Sequence, residues 1–122
     1  MPSSRPAALI VEDQPFVGLV ASDILRESGF ETFHAFDATD AAVVLSEHPE
    51  IEVIVTDADL HGSNDGVQLA HRVSKERPTV QLVVTAAGAA PTDVPLGARV
   101  LRKPFASGEL RTLVAAKSLQ QA

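Results

Sequence analysis

The sequence predicts an α/β domain in which helices cover both faces of a five-stranded parallel sheet. Short apolar runs rich in β-branched residues alternate with amphipathic segments, and the clearest run is residues 51–57. Such runs are typical of strands buried on both faces. Five of them fit within 122 residues, a length of about one domain. No repeat or low-complexity tract interrupts the alternation, which therefore favours a parallel sheet with right-handed crossovers.

The chain opens with a short arm followed by a strand and a helix. Residues 7–11 form a compact apolar run that ends in two acids. Pro15 suits the first position of the helix that follows, and Gly29 is expected to stop it. Apolar residues recur four apart on what we interpret as one face of this helix, namely Phe16, Val20 and Ile24.

A second strand and helix come next. Residues 30–36 mix polar and apolar side chains, which indicates a strand at the edge of the sheet. Asp37 or Thr39 can cap the next helix, because short side chains with an oxygen accept a hydrogen bond from its first turn. We expect this helix to end at His48-Pro49.

The central strand then ends in an acid, and a third helix follows it. Residues 51–57 run directly into the carboxylate of Asp57. The pattern becomes helical at Asp65 and stops at Pro78, which cannot continue a helix. Its core stripe consists of Val67, Leu69, Ala70 and Val73.

The last third of the chain supplies two strands and a final helix. Residues 80–85 form a fourth strand and residues 98–102 a short fifth one. Between them, glycines and prolines break residues 86–97, so at most one or two helical turns are expected. The final amphipathic helix is indicated by Glu109, Leu110, Leu113, Val114 and Lys117.

Composition excludes several classes of function. The formal net charge is -6, which argues against nucleic acid or an anionic membrane as a partner. No cysteine is present, so disulfides, thiolate catalysis and cysteine-bound zinc are excluded. The sequence has no apolar run of about 18 residues and no secretory leader, so we expect a soluble cytoplasmic protein.

Five polar residues fall at or just past the carboxyl ends of predicted strands one, three, four and five: Glu12, Asp13, Asp57, Thr85 and Lys103. In an open parallel sheet the ligand crevice lies outside these strand ends, so neighbouring strands would bring the five side chains into one pocket. Three carboxylates held together repel one another unless a proton, a basic side chain or a divalent metal relieves the repulsion. Hard oxygen ligands favour Mg²⁺, which also takes a phosphate oxygen as a ligand.

The same residues predict a chemistry. Lys103 and the Thr85 hydroxyl would supply a positive charge and a hydrogen-bond donor to phosphoryl oxygens. The set therefore indicates phosphoryl transfer onto a carboxylate, with Asp57 as the nucleophile.

Each of these residues, taken alone, has an ordinary structural explanation. Asp13 suits the start of a helix, Asp57 suits a turn, Thr85 is a normal strand residue and Lys103 a normal solvated one. Their joint occurrence at four strand ends favours function.

On these residues the chain resembles a response-regulator receiver domain of two-component signalling, of the stand-alone single-domain type. The resemblance covers nearly the whole length and rests on Glu12-Asp13, Asp57, Thr85 and Lys103-Pro104-Phe105. It implies a doubly wound, flavodoxin-like sheet of order 2-1-3-4-5. It also implies one receiver domain over residues 1–122, in which we expect residues 1–6 to be a flexible arm. The sequence departs from the family in its fourth helix, which is usually regular and which we expect to be shortened or irregular here.

The resemblance implies that Asp57 is phosphorylated from the phosphohistidine of a sensor histidine kinase or a histidine phosphotransfer protein. By the same carry-over Asp13 and Asp57 bind Mg²⁺ through their carboxylates, Glu12 helps mostly through water, and Asp59 contributes its backbone carbonyl. Output would then pass to a downstream protein. The chain would be a signalling domain that assists its own phosphorylation and dephosphorylation, rather than an enzyme.

The family also assigns roles at the fifth strand. Lys103 would pair with Asp57 or its phosphate, Thr85 would move to the phosphate, and the Lys103-Pro104 bond would be cis. Many receivers carry an aromatic switch residue where this sequence has Val100. We therefore expect phosphorylation to be reported by rearrangement of residues 86–97.

Two other functions fit parts of the sequence. Asp57-Ala58-Asp59 after an apolar strand resembles the first motif of haloacid-dehalogenase-type phosphatases, in which the second Asp is a general acid. That motif normally opens its domain, whereas here a strand-helix-strand-helix unit precedes it. The other alternative is a receiver-like interaction module that is never phosphorylated.

Overall fold

A five-stranded parallel sheet in the order β2-β1-β3-β4-β5 forms the centre of the computed structural model, which describes residues 5–121 and the side chains through residue 114. All four strand pairings are parallel. β2 is an edge strand with partly exposed side chains, whereas β1 is buried along its whole length. The predicted fold class and strand order are therefore confirmed. The strands are β1 Ala7–Val11, β2 Glu31–Ala35, β3 Ile51–Asp57, β4 Gln81–Ala86 and β5 Arg99–Arg102.

Four α-helices cover the two faces of this sheet in the described part of the chain: α1 Pro15–Glu27, α2 Ala38–Glu47, α3 Asp65–Glu76 and α4 Ser107–Gln121. One buried cluster joins the sheet to α1 and α4, and another joins it to α2 and α3. Alternate residues of the central strands feed the two clusters, as the period of a strand requires. None of the helices within residues 5–121 is both long and apolar enough to cross a membrane.

Local signals for helix ends agree with the structure. Asp37 is the N-cap of α2, and its side chain accepts a hydrogen bond from the Asp40 N–H at 2.8 Å. Gly29 follows α1 with a φ of 98°, a conformation that glycine adopts freely. The arm predicted for residues 1–6 lies, through residue 4, outside the described residues.

The predicted core face of α1 is wrong. Phe16 is 76% exposed and Val20 is 40% exposed, and only Ile24 of the predicted stripe is buried. Four residues advance a helix about 40° beyond a full turn, so a strict four-residue repeat drifts off the core face within two steps. The buried helix residues are Gly18, Ala21, Ser22, Ile24 and Leu25.

The segment between β4 and β5 forms no helix at all over residues 87–98. This goes further than the expected shortening of the fourth helix. Pro91 and Pro95 lack a backbone N–H, and Gly97 has a φ of 90°, so a continuous helix cannot form there. Instead the Ala98 N–H donates to the Pro95 carbonyl at 3.1 Å, and the turn leaves Leu96 fully exposed.

Candidate functional site

The register of the sheet sets the positions of the candidate residues. Asp57 at the end of β3 lies opposite Thr85 in β4, and the Ala58 N–H donates to the Thr85 carbonyl at 2.8 Å. The Lys103 N–H donates to the Ala86 carbonyl at 2.8 Å just past the end of β5. Because parallel strands end at the same edge, these hydrogen bonds bring the polar residues together at one rim.

Three carboxylates meet at this rim. Glu12, Asp13 and Asp57 each offer an oxygen, and these oxygens all lie within 4.8 Å of one another. Glu12 is 3% exposed and Asp57 is 6% exposed, so water screens their repulsion poorly. A set of hard oxygen donors of this kind fits Mg²⁺.

Lys103 supplies the positive charge at this cluster. Its Nζ lies 2.7 Å from Oε1 of Glu12 and 3.6 Å from Oδ2 of Asp57. The shorter ion pair is therefore with Glu12, whereas the resemblance pointed to Asp57. An ammonium placed between two buried carboxylates offsets part of the cost of burying them.

The pKa values of the neighbouring acids Glu12 and Asp13 are shifted in opposite directions. Burial raises the pKa of Glu12, although hydrogen bonds from Lys103 and the Gln14 N–H oppose the shift. Burial also raises the pKa of Asp13, but hydrogen bonds with Glu12 and the His61 N–H outweigh it, so the pKa is lowered overall. As pH falls, Asp13 therefore stays ionised longer than Glu12 and remains available to a cation.

Thr85 and Asp59 complete the candidate site. Thr85 is 3% exposed and lines a small cavity together with Glu12, Asp57 and Lys103. The Asp59 N–H donates to Oδ1 of Asp57 at 3.3 Å, and its carbonyl accepts from Gly62 at 3.4 Å. A carbonyl has two lone pairs, so the Asp59 oxygen keeps one for a further partner.

The peptide bond between Lys103 and Pro104 is cis, as the resemblance implied.

Gly66 is a residue of the site that the sequence analysis did not single out. It is the second residue of α3 and lies against the end of β3. A Cβ at this position would overlap the Asp57 carbonyl oxygen and lie 2.8 Å from the carbonyl carbon. Glycine lowers helix stability, so a glycine near the start of a predicted helix indicates a packing reason such as this close approach.

A contact that the sequence analysis did not predict supports the backbone of Glu12. Nε2 of His34 lies 2.9 Å from the Glu12 carbonyl oxygen, which can only accept, so Nε2 donates. The ring fills the space where a Cβ on Gly18 would otherwise stand, and it stacks on Phe36 with ring centroids 4.2 Å apart. The edge strand β2 thus helps to hold the backbone that carries the acids.

Solved structures similar to the chain are receiver domains. A response regulator receiver protein from Sinorhizobium medicae WSM419 superposes with a TM-score of 0.84 at 24% identity, over 93% of this chain and 94% of its own. The NtrX receiver domain from Brucella abortus gives a TM-score of 0.79 at 28% identity, over 94% and 99%. The receiver domain of the hybrid histidine kinase CckA gives 0.77 at 26%, over 91% and 97%.

The sequence was also compared with curated proteins and with family models. No curated protein matches significantly. The family model described as response regulator receiver domain matches residues 8–115, a span that contains every candidate site residue. The chain therefore belongs to the response regulator receiver domain family, the receiver domains of two-component systems.

Proposed function

We propose that this chain is the phosphoryl-accepting receiver of a two-component phosphorelay, with Asp57 as the acceptor. The observation that carries the proposal is the surroundings of Asp57. Its carboxylate ends the central strand, lies 3.6 Å from the Lys103 ammonium and shares a pocket with two further carboxylates. These are the groups that phosphoryl transfer onto a carboxylate needs at one place.

The phosphoryl group would come from a phosphohistidine of a sensor histidine kinase or a histidine phosphotransfer protein. A carboxylate oxygen of Asp57 attacks phosphorus, a P–O bond forms and the P–N bond breaks. The electron pair of the broken P–N bond returns to the imidazole nitrogen. Lys103 and the Thr85 hydroxyl then face the phosphoryl oxygens, where a charge and a donor stabilise the developing negative charge.

Glu12, Asp13, Asp57 and the Asp59 carbonyl would hold Mg²⁺. A bound Mg²⁺ would reduce the repulsion between the carboxylates and the incoming phosphoryl group. The chain's own contribution is to bring its oxygen ligands to one place before the donor arrives, and this preorganisation favours reaction.

A protein donor must be seated against the same rim. Helix α1 begins two residues after Asp13 and exposes an apolar surface beside the pocket, made of Phe16, Leu19 and Val20. Exposed apolar side chains that lie together often mark a protein interaction site, so this face of α1 suits the phosphohistidine protein. Output would pass to a downstream protein, and residues 86–97 are the segment we expect to report it.

Intact-mass spectrometry after treatment with acetyl phosphate and Mg²⁺ tests the proposal. The wild-type chain should gain one phosphoryl group, and Asp57→Ala should gain none. Asp59→Ala serves as the matched control, because it removes an exposed carboxylate two residues away and keeps the backbone carbonyl. It should still be labelled.

The same variants, measured for labelling and for hydrolysis of a phosphate monoester, separate the alternatives. Response regulator receiver domains are signalling domains. The phosphatase alternative instead predicts steady turnover of a phosphate monoester, which Asp59→Ala would abolish. An interaction module predicts no labelling of the wild-type chain. Steady turnover would contradict the receiver function, and the absence of labelling would contradict phosphoryl acceptance by Asp57.

Mg²⁺ should raise the melting temperature, and Asp13→Asn should reduce that rise. A cation at a hundredfold excess over its Kd stabilises the folded state by about 2.7 kcal/mol, and the variant loses one charged ligand. Asp93→Asn is the control, since the Asp93 side chain is 90% exposed and outside the cluster. Scanning calorimetry with and without millimolar Mg²⁺ makes the comparison, and an equal rise in Asp13→Asn would place the cation elsewhere.

A further inference from the structure

His61 has an unusual backbone conformation beside the acid cluster. It lies in the short 3-10 turn Leu60–Gly62 that follows β3, with φ 52° and ψ 33°. Within residues 5–121 it is the only residue other than glycine with a positive φ. This conformation is unfavourable for an L residue, so it persists where surrounding contacts hold it.

Those contacts join two strand ends. Nε2 of His61 lies 3.1 Å from the Phe36 carbonyl oxygen at the end of β2, and because a carbonyl only accepts, Nε2 donates. The His61 backbone N–H donates to Oδ2 of Asp13 at 3.3 Å, whereas ring Nδ1, 3.6 Å from the same oxygen, is too far away for a hydrogen bond. His61 therefore ties the carboxylate after β1 to the backbone after β2.

The distances indicate that His61 acts through Asp13 and is not itself a cation ligand. In the described part of the chain, the group whose possible ligand atoms all lie within 4.8 Å consists of Glu12, Asp13 and Asp57. His61 is outside it. Carboxylates that bind a metal are commonly oriented by further hydrogen bonds, and loss of such a partner typically weakens metal binding 10–100-fold.

We propose that His61 is a positioning residue of the cation site: its ring, hydrogen-bonded to the Phe36 carbonyl, fixes the turn whose backbone N–H holds the Asp13 carboxylate toward Glu12 and Asp57. The inference rests on the proposed cation site. It adds a residue that touches neither the phosphoryl group nor the cation, and its expected effect is on the affinity for divalent cations.

Isothermal titration calorimetry with Mg²⁺ on His61→Gly tests the inference. Glycine keeps the backbone N–H and adopts a positive φ freely, so the turn can still form, but it loses the ring's hydrogen bond to the Phe36 carbonyl. The Kd for Mg²⁺ should rise about tenfold or more, while the melting temperature without Mg²⁺ should not fall. His71→Ala is the control, because Nε2 of His71 likewise lies 3.1 Å from a backbone carbonyl, that of Asp93, but outside the cluster. Its Kd should be unchanged.

Titration with Co²⁺ separates positioning from direct ligation. Imidazole favours Co²⁺ over Mg²⁺, so a direct ligand role predicts a much larger loss of Co²⁺ affinity and would overturn the inference. Equal losses for both cations support positioning. An unchanged Kd for Mg²⁺ in His61→Gly would overturn it while the cation site stands. No Mg²⁺ binding by the wild-type chain would overturn the cation site and this inference together.

Discussion

Replacing Lys103 with methionine is expected to lower the free energy of unfolding by about 3–5 kcal/mol at about pH 8, the typical cost of removing one partner of a buried ion pair. Lys103 is 16% exposed and its ammonium lies 2.7 Å from Glu12, whose side chain is 4% exposed. Methionine keeps most of the side-chain volume but leaves the Glu12 and Asp57 carboxylates without their cation.

The effect should depend on pH. Burial already raises the pKa of Glu12, opposed by the Lys103 hydrogen bond, so removing Lys103 raises it further. When the pKa of a group is higher in the folded state than in the unfolded state, the folded protein becomes less stable as pH rises through the folded-state pKa. The loss should therefore be small near the ordinary pKa of 4.5 and large at alkaline pH.

Urea denaturation with EDTA present, at about pH 5 and about pH 8, measures this difference. Lys75→Met is the matched control, because Lys75 is exposed on α3, and it should change stability little at either pH. Adding Glu12→Gln to Lys103→Met removes one of the two unpaired charges, the one closer to Lys103, and should restore much of the stability. An equal loss at both pH values would contradict the unpaired Glu12 charge as the cause of the destabilisation.

The fold was predictable because its signals are local or periodic. Apolar runs predict the strands, the periodic stripe predicts the buried face of α3, and Asp37 is one of the two caps that the sequence offers for α2. The candidate residues converge because parallel strands share an edge, and that rule needs only the strand ends. On α1 the same reasoning was wrong for Phe16 and Val20, since a short repeat does not fix which face meets the sheet.

The individual partners of distant residues within the pocket are not predictable from the sequence. Lys103 and Glu12 are 91 positions apart, and His61 and Asp13 are 48 apart. Nothing in the sequence around His61 indicates that its ring reaches the Phe36 carbonyl just after β2. The strand ends identify which residues share the pocket, whereas the partners within it depend on side-chain directions that follow from packing.

Gly66→Ala is expected to destabilise the fold by about 3 kcal/mol or more, a loss comparable with that expected for Lys103→Met. The added Cβ would overlap the Asp57 carbonyl oxygen, and it would lie 2.8 Å from the carbonyl carbon and 3.1 Å from Oγ1 of Thr56. Overpacking typically costs about 1–3 kcal/mol, and the cost should reach or exceed the upper end here because the clash is with backbone. Either α3 must move off the sheet or the end of β3 must shift.

Gly108→Ala is the matched control for this substitution. Gly108 is also the second residue of a helix, α4, and a Cβ there would meet nothing within 4 Å. Alanine is the better helix former by up to about 1 kcal/mol, so this variant should be as stable as the wild-type chain or more so. Thermal unfolding compares the two, and acetyl phosphate labelling at a temperature where both are folded shows whether Asp57 has moved. If Gly66→Ala kept wild-type stability and labelling, the contact between α3 and β3 would be loose, and Asp57 would owe its position to the sheet alone.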